Sequence, residues 1–341
     1  MNLTIKDIAK KAGVSPGTVS KIINNYGGIS HKTRERVLDI ISETGYQPTF
    51  SAKSLATKKS NLIGLIHAGK FNVEFTHPFF NEVVTSFKKA IGMLGYDIIM
   101  FSNEHFHKNN ASYLARCSHF NVDGCLIIAG EEVEDSIYEL AQHGMPCVGI
   151  DIELNEPNSS YVMTDNISIA RKVVQHFYLH GIKDIGYIGG RKDSVISMYR
   201  ERGFIDVMNQ FGLTINQEWI EYGDFHEESG YEAMKKILQK NSLPQAIFAA
   251  SDLMAIGAIR ALKEYDLQVP KDIKIIGVDD IDACRFIEPK LTTIRQDKKR
   301  LGKLSAHLLD DLIIGKSQIK PVFIDSELIV RESCGHNEME H

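Results

Sequence analysis

Residues Thr4–Asn25 read TIKDIAKKAGVSPGTVSKIINN, and this stretch sets the organisation of the whole chain. Thr4 is a helix cap, and Ile8, Ala9 and Ala12 recur at helical spacing, so a first short helix is predicted over residues 5–11. Gly13 breaks it and Val14 begins a turn. Ser15 caps a second helix running to about Ile23, with Pro16 at the first helical position and Val19, Ile22 and Ile23 on its apolar face. A third helix is predicted from about His31 to Thr44, apolar at Val37, Leu38, Ile40 and Ile41 and stopped by Gly45. Helix, glycine-containing turn and second helix form the pattern in which the second helix enters a major groove while the first supports it.

Charge agrees with this reading. Residues 1–60 hold ten Lys/Arg against four Asp/Glu, a net of +6, whereas the other residues hold 29 basic and 40 acidic side chains, a net of -11. A basic head on an acidic body implies an anionic partner for the head alone. Lys6, Lys10, Lys21, Lys32 and Arg34 can meet phosphates, and Ser15, Thr18, Ser20 and Asn24 offer polar groups to phosphates or base edges. Lys21 can also reach guanine acceptors. Residues 49–59 carry one apolar stripe, Ala52, Leu55 and Ala56, among Lys53, Lys58 and Lys59; the segment is too short for an isolated helix and reads as a linker that becomes helical when supported.

From Asn61 the rhythm becomes α/β. Buried strands are expected at 62–66, 96–101, 124–128 and 147–150, and again at 185–188, 219–222, 246–249 and 273–278, with helical patterns between them. Two successive parallel-sheet units follow, and short strands at 292–295 and 323–325 with a helix between them are expected to join those sheets, so that the chain crosses between lobes and leaves a cleft. Polar groups recur at strand ends: Asp151, Arg200 after Gly189-Gly190, Asp252, Asp279 and Gln296, with Phe79 and Phe225 as apolar walls. Carboxylates that accept from hydroxyls, beside a guanidinium, suit a neutral polyhydroxylated ligand.

Other chemistries find little support. Gly13-Val14-Ser15-Pro16-Gly17 matches GxSxG, but it follows a helix rather than a buried strand, and Ser15 is a cap. Tyr187-Ile188-Gly189-Gly190 lacks GxGxxG and the Walker lysine, and reads as a tight strand-to-loop transition. His176 and His180 lack a carboxylate third ligand, and His105 and His107 lie in a polar turn, so no metal and no cofactor is expected. Five scattered cysteines without CxxC fit a reducing compartment. No apolar run is long enough to span a membrane and the first residues carry no secretory signal, so a cytoplasmic protein without a membrane partner is expected.

The motifs TIKDIAKKAGVSPGTVSKIINN, HKTRERVLDIISETGYQP, SAKSLA, HPFFNEV, VDGCLII, TDN (164–166), RERGF, EYGDF, SDLMAIG, GVDD and KLTTIRQD together closely resemble the lactose-repressor/galactose-repressor family of bacterial transcription regulators, from Thr4 to about Ser333. The resemblance implies an α/β fold with an all-α head: a helix-turn-helix domain (1–48), a hinge helix and linker (49–60), a two-lobed periplasmic-binding-protein-like effector and dimerisation domain with parallel sheets (61–333) and a tail (334–341). It places Pro16, Gly17 and Lys21 where members choose operator bases, makes Leu55 a minor-groove wedge, and puts Asp151, Arg200, Phe225, Asp252, Asp279 and Gln296 at cleft positions of sugar-responsive members. Thr49 stands for a common asparagine and Ser251 for another. The implied protein is a repressor of operator DNA controlled by a small sugar or related metabolite, and not an enzyme; activation of transcription is the alternative. Without a leucine heptad after Arg331, a homodimer is expected, nucleoid-associated when bound to DNA.

Overall fold

The computed structural model describes residues 3–47, 59–68, 77–101, 112–129, 133, 135–316 and 319–335. The expected hinge segment 49–58 with Leu55, the turn holding His105 and His107, and the tail beyond Gly335 lie outside the described residues. The chain divides into two units, residues 1–61 with 121–123, and residues 62–120 with 124–341.

The first unit is built from three helices, α1 (Ile5–Ala12), α2 (Pro16–Ile23) and α3 (His31–Thr44). Local chemistry fixes their ends. The Thr4 N–H and hydroxyl both donate to the Asp7 carboxylate, at 2.8 and 2.7 Å. Gly13 stops α1 with φ 63°, a conformation costly for residues with a Cβ. Ser15 and Ser30 accept the Thr18 and Thr33 amides at the starts of α2 and α3. The core is Ile8, Ala9, Ala12, Val19, Ile22, Val37 and Tyr46. Leu38, expected inside, is 46% exposed. Val37, Ile40 and Ile41 share one helix face, and residue 38 falls off it.

The second unit contains two six-stranded sheets. Lobe one carries β1 (Leu62–Ala68), α4 (Pro78–Met93), β2 (Asp97–Met100), α5 (Tyr113–Phe120), β3 (Gly124–Ala129), α6 (Asp135–Gln142), β4 (Cys147–Ile150) and β5 (Ser159–Thr164). Lobe two carries α7 (Asn166–Leu179), β6 (Ile185–Gly189), α8 (Val195–Gln210), β7 (Ile220–Tyr222), α9 (Glu227–Leu238), β8 (Ala246–Ala249), α10 (Asp252–Glu264), β9 (Lys274–Asp279) and β10 (Thr292–Gln296). The chain then returns: α11 (Lys298–Ile313) and β11 (Val322–Ile324) belong to lobe one, and β12 (Ser326–Ile329) to lobe two. Strand orders are β11-β5-β4-β3-β1-β2 and β12-β10-β9-β8-β6-β7. All pairs are parallel except β10 with β12.

Each of these three passages between lobes is a single aspartate: Asp165, Asp297 and Asp325. Asp165 and Asp297 have nearly the same backbone, φ -67° ψ 88° and φ -77° ψ 76°, and each caps the following helix, accepting the Ser168 amide at 3.0 Å and the Arg300 amide at 2.9 Å. Asp325 accepts the Ser326 amide at 2.8 Å and pairs with Lys172. Strands β5 and β12 are additions to the sequence expectation. β5 is buried throughout although three of its six residues are Ser159, Ser160 and Thr164.

Helix packing in lobe two leaves no slack. A Cβ on Gly257 of α10 would stand 2.0 Å from the Glu227 carbonyl oxygen and 2.6 Å from the Tyr231 amide nitrogen of α9, and one on Gly230 would meet the Met254 carbonyl at 2.3 Å. These neighbours are backbone, so only separation of the helices relieves the clash. Gly257→Ala is expected to destabilise the fold by ~1–3 kcal/mol, seen as a lower urea midpoint with little change in slope. A midpoint equal to that of the parent would contradict this packing.

Candidate functional sites

On the head, Pro16, Gly17, Lys21, Lys6 and Lys32 are exposed, and Thr18, Ser20 and Asn24 are half-buried. Several expected contacts already serve the fold. The Ser15 hydroxyl caps α2 and lies 2.9 Å from the Thr18 hydroxyl. The Asn24 amide donates to the Ser20 carbonyl at 2.9 Å. Arg34 does not reach outward as a phosphate donor: its guanidinium donates to Asn25 Oδ1 at 2.9 Å and to the Tyr26 carbonyl at 2.7 Å, pinning the loop between α2 and α3. Lys21 is thus left as the exposed cation on α2 itself.

The parallel strands of both lobes end at the interlobe cleft, and there Asp151, Arg200, Phe225 and Asp279 come together. Asp151 follows β4 and Asp279 ends β9, both buried. Arg200, only 3% exposed, donates from Nε to Asn166 Oδ1 at 2.9 Å and from Nη1 to the Ala250 carbonyl. Burial pushes the Asp151 carboxyl up to about 7; Arg200 opposes this and Asp279 adds to it. Burial also raises Asp279, against the pull of His77 and Arg200. Gln296, at the end of β10, donates from Nε2 to Asp279 Oδ1 at 2.7 Å, and its Oε1 is buried without a partner. The Phe225 ring lies so close over Gly190 that a Cβ there would stand 2.1 Å from its Cζ, which explains the paired glycines after β6. Backbone φ is positive at Asp151 (57°), Phe225 (75°), Asp279 (122°) and Asp280 (51°), so strained residues cluster around the cleft.

Phe79 sits 3% exposed in the core of lobe one and meets His77 edge-on, so it is a foundation more than a wall. Asp252 is a correction. The sequence places it at a strand end, but its carboxylate turns inward, fully buried, accepting from Thr293 Oγ1 (2.5 Å), the Ile281 amide (3.0 Å) and the Cys284 thiol (3.1 Å). It ties α10 to the ends of β9 and β10, and Ser251 takes the cap position instead. Burial raises its pKa, with the Asp279 charge adding and its three donors opposing. His77, His226, Asn166 and Ser197 were not expected at the cleft; the first lies just before Pro78-Phe79-Phe80 and just after a strand-end loop, a position the strand-end argument could have reached.

A cavity of about 510 Å³ opens beside the crossings, lined among others by Glu82, Asp280, Arg285, Arg295, Gln296 and Lys298. Its charges are largely paired: Arg295 and Arg331 with Asp280, and Lys298 with Glu82. Of the expected effector residues it includes only Gln296. His176 and His180 stack at 4.4 Å at the end of α7, with His180 Nδ1 2.7 Å from the His176 carbonyl, a helix-end arrangement. Among the described residues no group of three metal-ligating side chains converges, and no helix is long and apolar enough to cross a membrane.

Asp252→Asn replaces an acceptor with a group that also presents N–H donors among existing donors. The expected result is a loss of ~1–3 kcal/mol in urea unfolding. Unchanged stability with weakened effector binding would return Asp252 to the cleft surface.

Residues 4–49 match the description "Bacterial regulatory proteins, lacI family", and residues 174–334 match "Periplasmic binding protein-like domain". The HTH-type transcriptional repressor PurR of Pasteurella multocida is 36% identical over 332 residues, covering 97% of this chain and 98% of the relative, and that of Haemophilus influenzae is 36% identical over 337 residues with the same coverage. The solved lac repressor dimer bound to operator and the anti-inducer ONPF has a TM-score of 0.82 at 27% identity, over 98% of this chain and 99% of that one. The transcriptional regulator CelR–cellobiose complex has a TM-score of 0.74 at 29% identity, over 97% and 99%. With a helix-turn-helix head, two parallel-sheet lobes and relatives alike along nearly their whole length, the chain belongs to the lacI family of bacterial regulatory proteins and is a DNA-binding transcriptional repressor under small-molecule control, not an enzyme.

Proposed function

We propose that two copies of this chain bind a roughly palindromic operator in the cytoplasm through α2, and that a neutral polyhydroxylated effector, a small sugar or related polyol, controls the binding from the interlobe cleft. The boundaries near residues 48, 60 and 333, and Leu55 as a minor-groove wedge, are part of this reading. The observation that carries the effector class is the buried set Asp151, Arg200 and Asp279 beside the Phe225 ring. Two carboxylates accept from hydroxyls, the guanidinium donates, and a phenyl face covers the less polar side of a sugar ring. The cellobiose complex of a structural relative lends support. For the dimer, Met93 (90% exposed) and Phe286 (81% exposed) offer apolar surface for a second copy to cover, and the lac repressor relative was solved as a dimer on operator.

The ligand must prefer one arrangement of the lobes to change DNA affinity. Operator selection from genomic fragments, followed by titration with a panel of sugars, polyols, adenine and guanine, tests both halves together. Sugar-dependent operator affinity without turnover is the expected outcome; a response only to the planar bases would overturn the polyol assignment.

Two further outcomes are specific to named residues. Lys21→Ala should reduce discrimination at one operator position by ~1–3 kcal/mol. Equal losses on specific and scrambled duplexes would assign Lys21 to the phosphates instead. The raised Asp151 sets a pH dependence: below about 7 its carboxyl is mostly protonated in the free cleft, and a ligand hydroxyl that donates to it requires the ionised form. Effector affinity is therefore expected to rise between pH 6 and 8, with proton release visible as a buffer-dependent heat in calorimetry. An affinity flat across that range would remove Asp151 from the contact set.

A further inference from the structure

His77 precedes α4 in lobe one, yet its surroundings belong to both lobes. It is 7% exposed. Its ring stands 5.8 Å from that of His226 at 77°, 5.6 Å from Phe80 and 6.5 Å from Phe79. The Phe225 carbonyl of lobe two accepts a hydrogen bond from the ring, and the nearest charged groups are Asp279 and Arg200. His77 Nδ1 is buried and has no hydrogen-bond partner. A buried polar nitrogen without a partner costs ~1–3 kcal/mol unless something meets it.

We infer that His77 is a positioning and specificity residue of the effector cleft, whose Nδ1 accepts a hydrogen bond from a hydroxyl of the bound effector while its other nitrogen holds the Phe225 carbonyl of the opposite lobe. The inference rests on the reading of the cleft as the effector site. The tautomer follows from the partners: the carbonyl requires the ring proton on Nε2, which leaves a lone pair on Nδ1. Burial disfavours the doubly protonated ring, as do His226 and Arg200, while Asp279 acts in the other direction. One ring therefore reads a ligand donor and a lobe contact at once. An effector that fills Nδ1 fixes the ring plane and with it the grip on Phe225, and a ligand offering only an acceptor at that point is rejected. The neighbouring orphans Ser197 Oγ and Gln296 Oε1 can serve other hydroxyls of the same ligand.

The test uses the full-length protein with ¹⁵N-labelled histidine. Long-range ¹H–¹⁵N correlation, assigned with His77→Asn, should show His77 at neutral pH as the Nε2–H tautomer with Nδ1 unprotonated; an Nδ1–H tautomer overturns the inference whatever the effector is. Calorimetry with cellobiose, D-galactose, D-glucose and D-ribose supplies the second arm. For a sugar that binds the parent, His77→Phe, which keeps a ring and removes the acceptor, should weaken binding about tenfold. His77→Asn, which keeps an acceptor near Nδ1, should lose much less. Equal affinities for parent and His77→Phe overturn the inference. Failure of all four sugars with the parent counts against the polyol reading, whereas the tautomer measurement still decides the state of His77.

Discussion

Three aspartates, each one residue long as a passage, hold the two lobes together: Asp165, Asp297 and Asp325. A one-residue connection cannot pay out slack, so the lobes rotate about these points or stay still; they do not drift apart. Each carboxylate accepts a backbone amide on the far side of the passage, which fixes the direction of departure and satisfies an amide that a helix or strand start leaves open. Motion is thereby confined to a few backbone angles, the geometry of a hinge. Everything the cleft does depends on that restriction, because a ligand can bias two arrangements only when there are few to choose from.

Within the cleft the decisive charge is Arg200. Two buried carboxylates at Asp151 and Asp279 would repel each other in a low dielectric, and a guanidinium held by Asn166 and the Ala250 carbonyl makes their burial tolerable. The same guanidinium joins the first crossing, through Asn166, to the end of β8. Polar recognition and lobe geometry are therefore not separate devices. The left-handed backbone at Asp151, Asp279 and Asp280 accounts for the residue type, since aspartate is among the few residues with a Cβ that visit this conformation readily.

Much of this was legible in the sequence where the information is local. Ser15-Pro16 and Gly13 announce the turn between α1 and α2 because caps and breakers act within four residues. The two-sheet rhythm was legible for a similar reason, as buried parallel strands are short apolar runs. β5 escaped because a strand buried on both faces need not be apolar: Ser159, Ser160 and Thr164 sit inside by virtue of neighbours far away in sequence. β12 escaped because one aspartate separates it from β11, and no pattern in a four-residue strand tells which sheet it joins. Asp252 and Arg34 were placed in the right neighbourhood and given the wrong direction. Side-chain direction there is decided by Thr293, Ile281 and Cys284, or by Asn25 and Tyr26, and residue type alone does not report it. His77 was silent because its significance lies in partners 148 and 149 residues away, the Phe225 carbonyl and the His226 ring.

The returning chain also dictates when this protein can fold. Lobe one needs Leu301, Ala306, Leu309 and Leu312 of α11 and Ile324 of β11 to complete its core, and all of them follow the bulk of lobe two in the sequence. A ribosome therefore releases a nearly finished second lobe before the first can close. Until then the face of α4 that receives α11 is bare, including the Val83 carbonyl against which Gly302 settles. Synthesis from the amino end thus leaves the earliest-made sheet among the last to be sealed, and the interval exposes it to chaperones and to its own neighbours on a polysome.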